Sequence, residues 1–265
     1  MSISGILIAT AIVGAVGLFI GLFLGLAGKK FAVEVDPREE EVLEALPGNN
    51  CGACGYPGCS GLAAAIAAGE APVNACPVGG DSVAETVGAI MGVEAGATAK
   101  KVAYVKCAGT CEAAKQNYEY YGLDDCVMMK GMQDGGAKAC NFGCLGGGTC
   151  VRACPFDAIE MKDGIALVNK EECRSCEQCV AACPQKIIEM VPYDQKYWVM
   201  CDSKDNGKGV MAACKVGCIA CRICEKNCEF DAIHVVDNIA HIDVEKCTNC
   251  GVCAEKCPKK IIYNV

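Results

Sequence analysis

From Ile3 to Ala27 the chain carries no charged side chain, and only Ser4 and Thr10 are polar. A run of that length suffices to cross a bilayer as one helix. Gly14, Gly17, Gly21 and Gly25 recur at three- and four-residue spacing. They give that helix a small-residue face of the kind that packs on another membrane helix, although glycine is also simply frequent in membrane helices. Lys29 and Lys30 follow at once and, by the positive-inside rule, put the remainder in the cytoplasm. A cleaved signal peptide fits less well, because there is no basic n-region and no small-x-small site. Asp36-Pro37-Arg38-Glu39 reads as a helix start, with Asp as N-cap, Pro at the first helical position and Glu completing the capping pair. That short helix ends at Pro47-Gly48, and an Ala-rich one follows from Gly61 to Gly69. Gly80 to Lys100 reads as a helix and linker without chemistry. Beyond it the apolar positions shrink to short groups (Ile159, Ile165, Ile187, Ile188 and their repeats), and strand-like stretches flank Asp237-Asn238.

The second half is written twice. Ala139-Cys140-Asn141-Phe142-Gly143-Cys144 is answered by Ala213-Cys214-Lys215-Val216-Gly217-Cys218, and Phe156-Asp157-Ala158-Ile159 by Phe230-Asp231-Ala232-Ile233. Cys173, Cys176, Cys179, Cys183 and Pro184 recur as Cys247, Cys250, Cys253, Cys257 and Pro258, and Lys186-Ile187-Ile188 recurs as Lys260-Ile261-Ile262. Self-similarity of this kind signals two copies of one supersecondary unit. What the copies share is metal-ligand spacing.

In the second copy, Cys218-x2-Cys221-x2-Cys224-x3-Cys228 and Cys247-x2-Cys250-x2-Cys253-x3-Cys257-Pro258 match the run of two-cluster bacterial ferredoxins, whose fourth cysteine ligates the other cluster. Cys218, Cys221, Cys224 and Cys257 are thereby assigned to one [4Fe–4S] cluster, and Cys228, Cys247, Cys250 and Cys253 to another. Zinc also uses C-x2-C pairs, but it takes four thiolates, and eight here follow the ferredoxin interleaving. In the first copy Cys154, Cys173, Cys176 and Cys179 make a complete set. Its partner reads Cys144, Gly147, Cys150 and Cys183, with the middle ligand missing. Cys140, which enters the same loop, is the first choice for the gap; a three-iron cluster or a non-protein ligand are the alternatives. Upstream, Cys51-x2-Cys54-x4-Cys59 and the remote Cys76-Pro77 form a further set, with structural zinc as its alternative. Cys107, Cys111 and Cys126 match no ferredoxin run. With Cys140 they are numerous enough for an extra site, at the expense of the gap. Lys106-Cys107 corresponds to Met200-Cys201, while Cys201 and Cys214 have no cluster partners by spacing; buried free thiols are the plain reading of this remainder. The inventory is about five [4Fe–4S] clusters, or six if the remainder forms one.

Composition agrees. The 265 residues hold 25 cysteines, and C-x2-C-x2-C spacing marks them as thiolate ligands that belong in a reducing compartment. A net charge of −8 argues against nucleic acid as a partner. There is no G-x-G-x-x-G and no P-loop, so neither flavin nor NAD is expected on this chain, and no acid–base or nucleophile constellation is present. His234 and His241 read as sheet-surface residues, and Tyr193 to Trp198 as packing.

Together the residues resemble the B subunit of the Rnf complex, the membrane-bound, ion-translocating ferredoxin:NAD⁺ oxidoreductase. The likeness covers nearly the whole chain: the hydrophobic helix, Lys30-Phe31-Ala32-Val33-Glu34, Asp36-Pro37, Cys51-Gly52-x-Cys54-Gly55-Tyr56-Pro57-Gly58-Cys59 with Cys76, and the ferredoxin runs. Anchor plus C-G-x-C-G-Y-P-G-C is its specific part. This chain resembles a long form with two ferredoxin-like units and an inserted cysteine-rich segment. The resemblance implies an α+β fold: a single-pass transmembrane anchor (1–28), a helical [4Fe–4S] domain and linker (33–100), the cysteine-rich segment with the first ferredoxin-like unit (101–192), and a second such unit (193–265), the units being β-α-β in type. It further implies electrons accepted from soluble ferredoxin and passed, through the Cys51–Cys76 cluster, to other membrane subunits of the same complex. Flavin, NAD chemistry and Na⁺ or H⁺ translocation would belong to those partners.

Two other classes share some of these features. The Cys51–Cys76 motif is also similar to one in corrinoid iron–sulfur proteins, so the chain could serve as a membrane-anchored polyferredoxin donating low-potential electrons to a corrinoid protein. An iron–sulfur enzyme would instead bind substrate at an open iron near Gly147.

Overall fold

The computed structural model describes residues 3–30, 36–96 and 99–264, with backbone alone at 3–11 and 29–30. The Phe31-Ala32-Val33-Glu34 exit lies outside them. Helix α1 (Ile3–Lys30) follows the uncharged run, and its described large apolar side chains, Leu18, Phe19 and Phe23 among them, are exposed. A Cβ at Gly14, Gly17, Gly21 or Gly25 would meet nothing within 4 Å. Among the described residues no helix is long and apolar enough to cross a membrane; for α1 the described side chains are those of 12–28.

A small helical unit follows, built from α2 (Pro37–Ala45), α3 (Gly58–Ala67) and α4 (Gly80–Met91). The Asp36 carboxylate accepts the Arg38 N–H at 2.9 Å, which satisfies one of the orphan donors at the start of α2. Val42, Leu62, Ile66 and Val87, each at most 1% exposed, fill the space between the helices. The Ala-rich helix begins at Gly58 instead of Gly61, so Cys59 sits in its first turn. The Asn50 carboxamide oxygen accepts the Cys59 N–H at 2.8 Å. Gly58 has φ +91°, and a Cβ there would stand 2.8 Å from that oxygen, so only glycine fits this entry.

The first repeat runs β1 (Lys101–Val105), the inserted α5 (Cys126–Lys130), α6 (Thr149–Arg152), β2 (Ile159–Lys162), β3 (Ile165–Val168), α7 (Gln178–Ala182) and β4 (Ile188–Pro192). The second runs β5 (Tyr197–Val199), α8 (Gly207–Ala213), α9 (Ile223–Lys226), β6 (Ile233–Val236), β7 (Ile239–Ile242), α10 (Val252–Lys256) and β8 (Ile262–Asn264). Each is two antiparallel strand pairs. The hairpins β2–β3 and β6–β7 close through Asp163-Gly164 and Asp237-Asn238, all with positive φ, as two-residue hairpin turns require. The outer pairs join the strand before the cysteines to the strand after them, β1 with β4 and β5 with β8. Ile159, Ile165, Ile187 and Ile188 and their counterparts Ile233, Ile239, Ile261 and Ile262 are all at most 5% exposed. His234 faces His241 across the second hairpin. Trp198, from β5, packs in the core of the first repeat with its ring 5.3 Å from that of Tyr104, so the two units share a seam.

Candidate metal centres

The cysteine loops share one unusual backbone. In Ser175-Cys176-Glu177, Ala220-Cys221-Arg222 and Asn249-Cys250-Gly251, the residues on both sides of the middle cysteine have positive φ. Alternating right- and left-handed residues turn successive N–H groups inward as a nest for anions, a recurrent feature of iron–sulfur sites. Five of these six positions are not glycine, and holding such conformations costs about 1–3 kcal/mol each. The fourth loop, Gly146-Gly147-Gly148, has positive φ at 146 and 148 too. It keeps the nest although it lacks the middle cysteine.

Three groups of four cysteines each line a cavity. Cys218, Cys221, Cys224 and Cys257 surround one, and Cys228, Cys247, Cys250 and Cys253 another. These are the groupings expected from spacing. The third holds Cys144, Cys150 and Cys183 together with Cys126. Cys140, expected to fill the gap at Gly147, lines a different cavity, and Cys126 stands beside Cys144, Cys150 and Cys183 in its place. The reason is steric. A Cβ on Gly147 would lie 2.8 Å from the Cys126 nitrogen and 2.9 Å from the Asp125 carbonyl carbon. The inserted segment thus occupies the place of the missing side chain and delivers its own thiol. Asp125 caps α5 through the Val127 N–H at 2.8 Å, Arg152 binds its carboxylate at 2.9 Å, and Thr149 Oγ1 accepts the Cys126 N–H at 2.8 Å.

The extra group of Cys107, Cys111 and Cys126 is not brought together either. Cys111 is exposed and packs on Gly164 in the β2–β3 turn. Cys107 instead lines a fourth cavity with Cys140, Cys201 and Cys214, cysteines that spacing left without partners. The signal was present in the sequence: two pairs of repeat equivalents, each unmatched within its own unit.

The remaining sets have smaller signatures. Burial first, and then the neighbouring Cys154 and Cys173, push the Cys176 and Cys179 thiols up, and Cys173 Sγ accepts the Ala103 N–H at 3.4 Å. Cys76 interacts with Cys54 and Cys59. Among the described residues no three His, Cys, Asp or Glu side chains form a site for a single metal ion; the thiols line cavities instead. Burial, reinforced by neighbouring cysteines, pushes Cys150, Cys179 and Cys224 up to about 12 and Cys201 and Cys253 up to about 11. Bare thiolates are thus disfavoured in these apolar cavities, and a metal must displace the protons.

Neighbours also link one group to the next. The Cys144 N–H bonds to Cys107, the Cys218 N–H reaches Cys201 Sγ at 3.4 Å, and Cys150 is among the neighbours that raise the Cys179 thiol, after burial. Cys176 interacts with Cys51, whose carbonyl accepts the Gln178 side-chain N–H at 2.7 Å.

Tandem two-cluster units behind a helical four-cysteine unit define an iron–sulfur electron-transfer protein. Sequence-family models agree: one described as "Putative Fe-S cluster" matches residues 46–78, and two 4Fe-4S dicluster domains match 137–184 and 217–261. The chain is 49% identical over 98% of its length, and 78% of the relative's, to the B subunit of the Na(+)-translocating ferredoxin:NAD(+) oxidoreductase complex of Acetobacterium woodii. It is 46% identical over 95% of its length, and 96% of the relative's, to the B subunit of the ion-translocating oxidoreductase complex of Methanosarcina acetivorans. To the counterpart from the proton-translocating complex of Clostridium ljungdahlii it is 40% identical, over 92% of this chain and 87% of that one. The chain belongs to the family of B subunits of these Rnf-type complexes, and it carries multiple [4Fe–4S] clusters.

Proposed function

We propose that this chain accepts electrons from reduced ferredoxin at its C-terminal unit and relays them to membrane subunits of the same complex. Those partners would carry the flavin and NAD chemistry and couple the flow to Na⁺ or H⁺ translocation. The sets to be loaded are Cys51, Cys54, Cys59 and Cys76; Cys126, Cys144, Cys150 and Cys183; Cys154, Cys173, Cys176 and Cys179; and the two of the C-terminal unit. Bound clusters supply one-electron redox capacity at potentials tuned by charge, hydrogen bonds and exposure.

The observation that carries this reading is the row of cysteine-lined cavities: the Cys218 N–H lies on Cys201 Sγ, Cys201 and Cys107 line one cavity between the units, Cys144 lines the next, and Gln178, two residues from Cys176, donates to the Cys51 carbonyl. The protein's part is to hold the thiolates, keep water out with the buried isoleucines, and set the order of the stations. Entry at the C-terminal unit is supported by the exposure of Cys221 and Cys250. Arg222 and Lys259 line the first of these cavities, offering positive charge to an acidic carrier. Exit at the Cys51 end is supported by its position in the chain next to α1. That helix is read as a single membrane anchor with the other units on the cytoplasmic side, on the strength of its uncharged run, its exposed apolar side chains and the two lysines that follow.

The test is to mix anaerobically purified protein with reduced ferredoxin and follow visible absorbance by stopped flow. Rapid bleaching of the clusters is expected; a spectrum unmoved by ferredoxin yet bleached by dithionite contradicts the reading.

A further inference from the structure

We propose that Cys107, Cys140, Cys201 and Cys214 hold an additional [4Fe–4S] cluster that straddles the two ferredoxin-like units and serves as the station between them. The inference rests on the electron-relay reading, whose sets leave a gap between the Cys218 group and the Cys144 group.

The four thiols line one cavity, and each repeat supplies an equivalent pair: Cys107 corresponds to Cys201, and Cys140 to Cys214. The surroundings repeat as well. The Gly109 N–H reaches Cys107 Sγ at 3.4 Å, and Cys107 also takes a backbone hydrogen bond from Cys144. The Cys218 N–H reaches Cys201 Sγ at 3.4 Å, and a backbone bond from Ser203 joins it. Cys144 and Cys218 are repeat equivalents. The same amides thus serve the same sulfurs in both halves, and hydrogen bonds of this kind to cluster sulfurs tune the potential of a bound cluster. Strand ends are alike too, with Lys106 N–H on the Ile187 carbonyl at 2.8 Å and Met200 N–H on that of Ile261 at 2.9 Å.

Two backbone positions lie against three of the sulfurs. A Cβ at Gly109 would lie 3.4 Å from Cys107 Sγ and 3.7 Å from Cys214 Sγ, and one at Gly143 would lie 3.4 Å from Cys107 Sγ and 3.6 Å from Cys140 Sγ. The space around these sulfurs, counted out to open solvent, is 460 Å³, against 330, 350 and 370 Å³ counted the same way for the three cavities lined by the other cysteine groups. A cavity at least as large as those accommodates the same cubane, whereas a lone zinc would need the sulfurs drawn in to about 2.3 Å from one centre. Lys138, only 5% exposed, lines the site and donates to the Gly109 and Gly164 carbonyls at 2.8 Å each. Its buried charge offsets that of a four-thiolate centre.

Position gives the role. Cys107 neighbours Cys144 of one unit and Cys201 neighbours Cys218 of the other. A cluster held by these four cysteines would take one electron from the reduced Cys218 group and pass it to the Cys144 group. No bond in the protein is made or broken, and reduced ferredoxin is the electron source.

The test compares wild type, the double variant Cys140→Ala/Cys214→Ala and the control Cys111→Ala, each purified anaerobically and reconstituted with ferrous iron and sulfide. The double variant is expected to hold about four fewer iron and four fewer sulfide per chain, while Cys111→Ala matches wild type. Equal iron in the double variant and wild type overturns the proposal, as does one zinc per chain lost in the variant without loss of iron. Should the double variant not fold, the Mössbauer cubane count of the wild type decides: about six supports the site and about five overturns it. Neither count involves ferredoxin, so failure of the relay reading would show separately as unbleached clusters in a fully loaded protein.

Discussion

Cys126→Ala protein is expected to lose the cluster of the Cys144, Cys150 and Cys183 cavity or to keep it only as a three-iron cluster. Iron would fall by about one to four atoms per chain, and an EPR signal of an oxidised three-iron centre would accompany the smaller loss. Cys140→Ala should leave that cluster's signals intact. The difference follows from geometry: Cys126 lines the cavity and Cys140 does not. Electron transfer should fall with the cluster, because Cys144 of this cavity bonds through its N–H to Cys107 of the cavity between the units. If Cys140→Ala produced the three-iron signal and Cys126→Ala did not, the assignment would be reversed.

Gly147→Cys is expected to destabilise the protein, although by sequence it looks like a repair. It would restore the C-x2-C-x2-C run that the second repeat has at Cys221. In the folded chain its Cβ would stand 2.8 Å from the Cys126 nitrogen and 2.9 Å from Met129 Sδ. Overpacking against backbone costs about 1–3 kcal/mol. The readout is a lower midpoint for thermal bleaching of the visible absorbance, with cluster content of the fresh protein as the companion measurement. Unchanged stability, together with rescue of the Cys126→Ala defect by Gly147→Cys, contradicts the steric account.

These two positions also show where sequence reasoning stops. The two C-terminal groupings were legible because their ligands sit in short loops, where two-residue gaps place three thiols around one centre and the repeat supplies the fourth. The hairpins were legible at Asp237-Asn238, and the helix cap at Asp36. Cys126 was not, because it reaches its cavity from an inserted segment with no counterpart in the other repeat. No spacing rule links residue 126 to residue 144. What replaced the rule was a contact, the side-chain-free surface of Gly147 against the Cys126 backbone. The fourth cavity was hidden for another reason. Its thiols come in pairs from two units, and only the packing of one unit on the other, sealed by Trp198 on Tyr104, brings the pairs together. The start of the Ala-rich helix at Gly58 instead of Gly61 has a local cause, the Asn50 side chain that receives the Cys59 N–H.

The central claim, a chain organised as a series of [4Fe–4S] clusters, is tested most directly by iron and acid-labile sulfide per chain in anaerobically purified protein. The expected result is about twenty-four of each, six cubanes' worth. Stoichiometric zinc with little iron would contradict it outright.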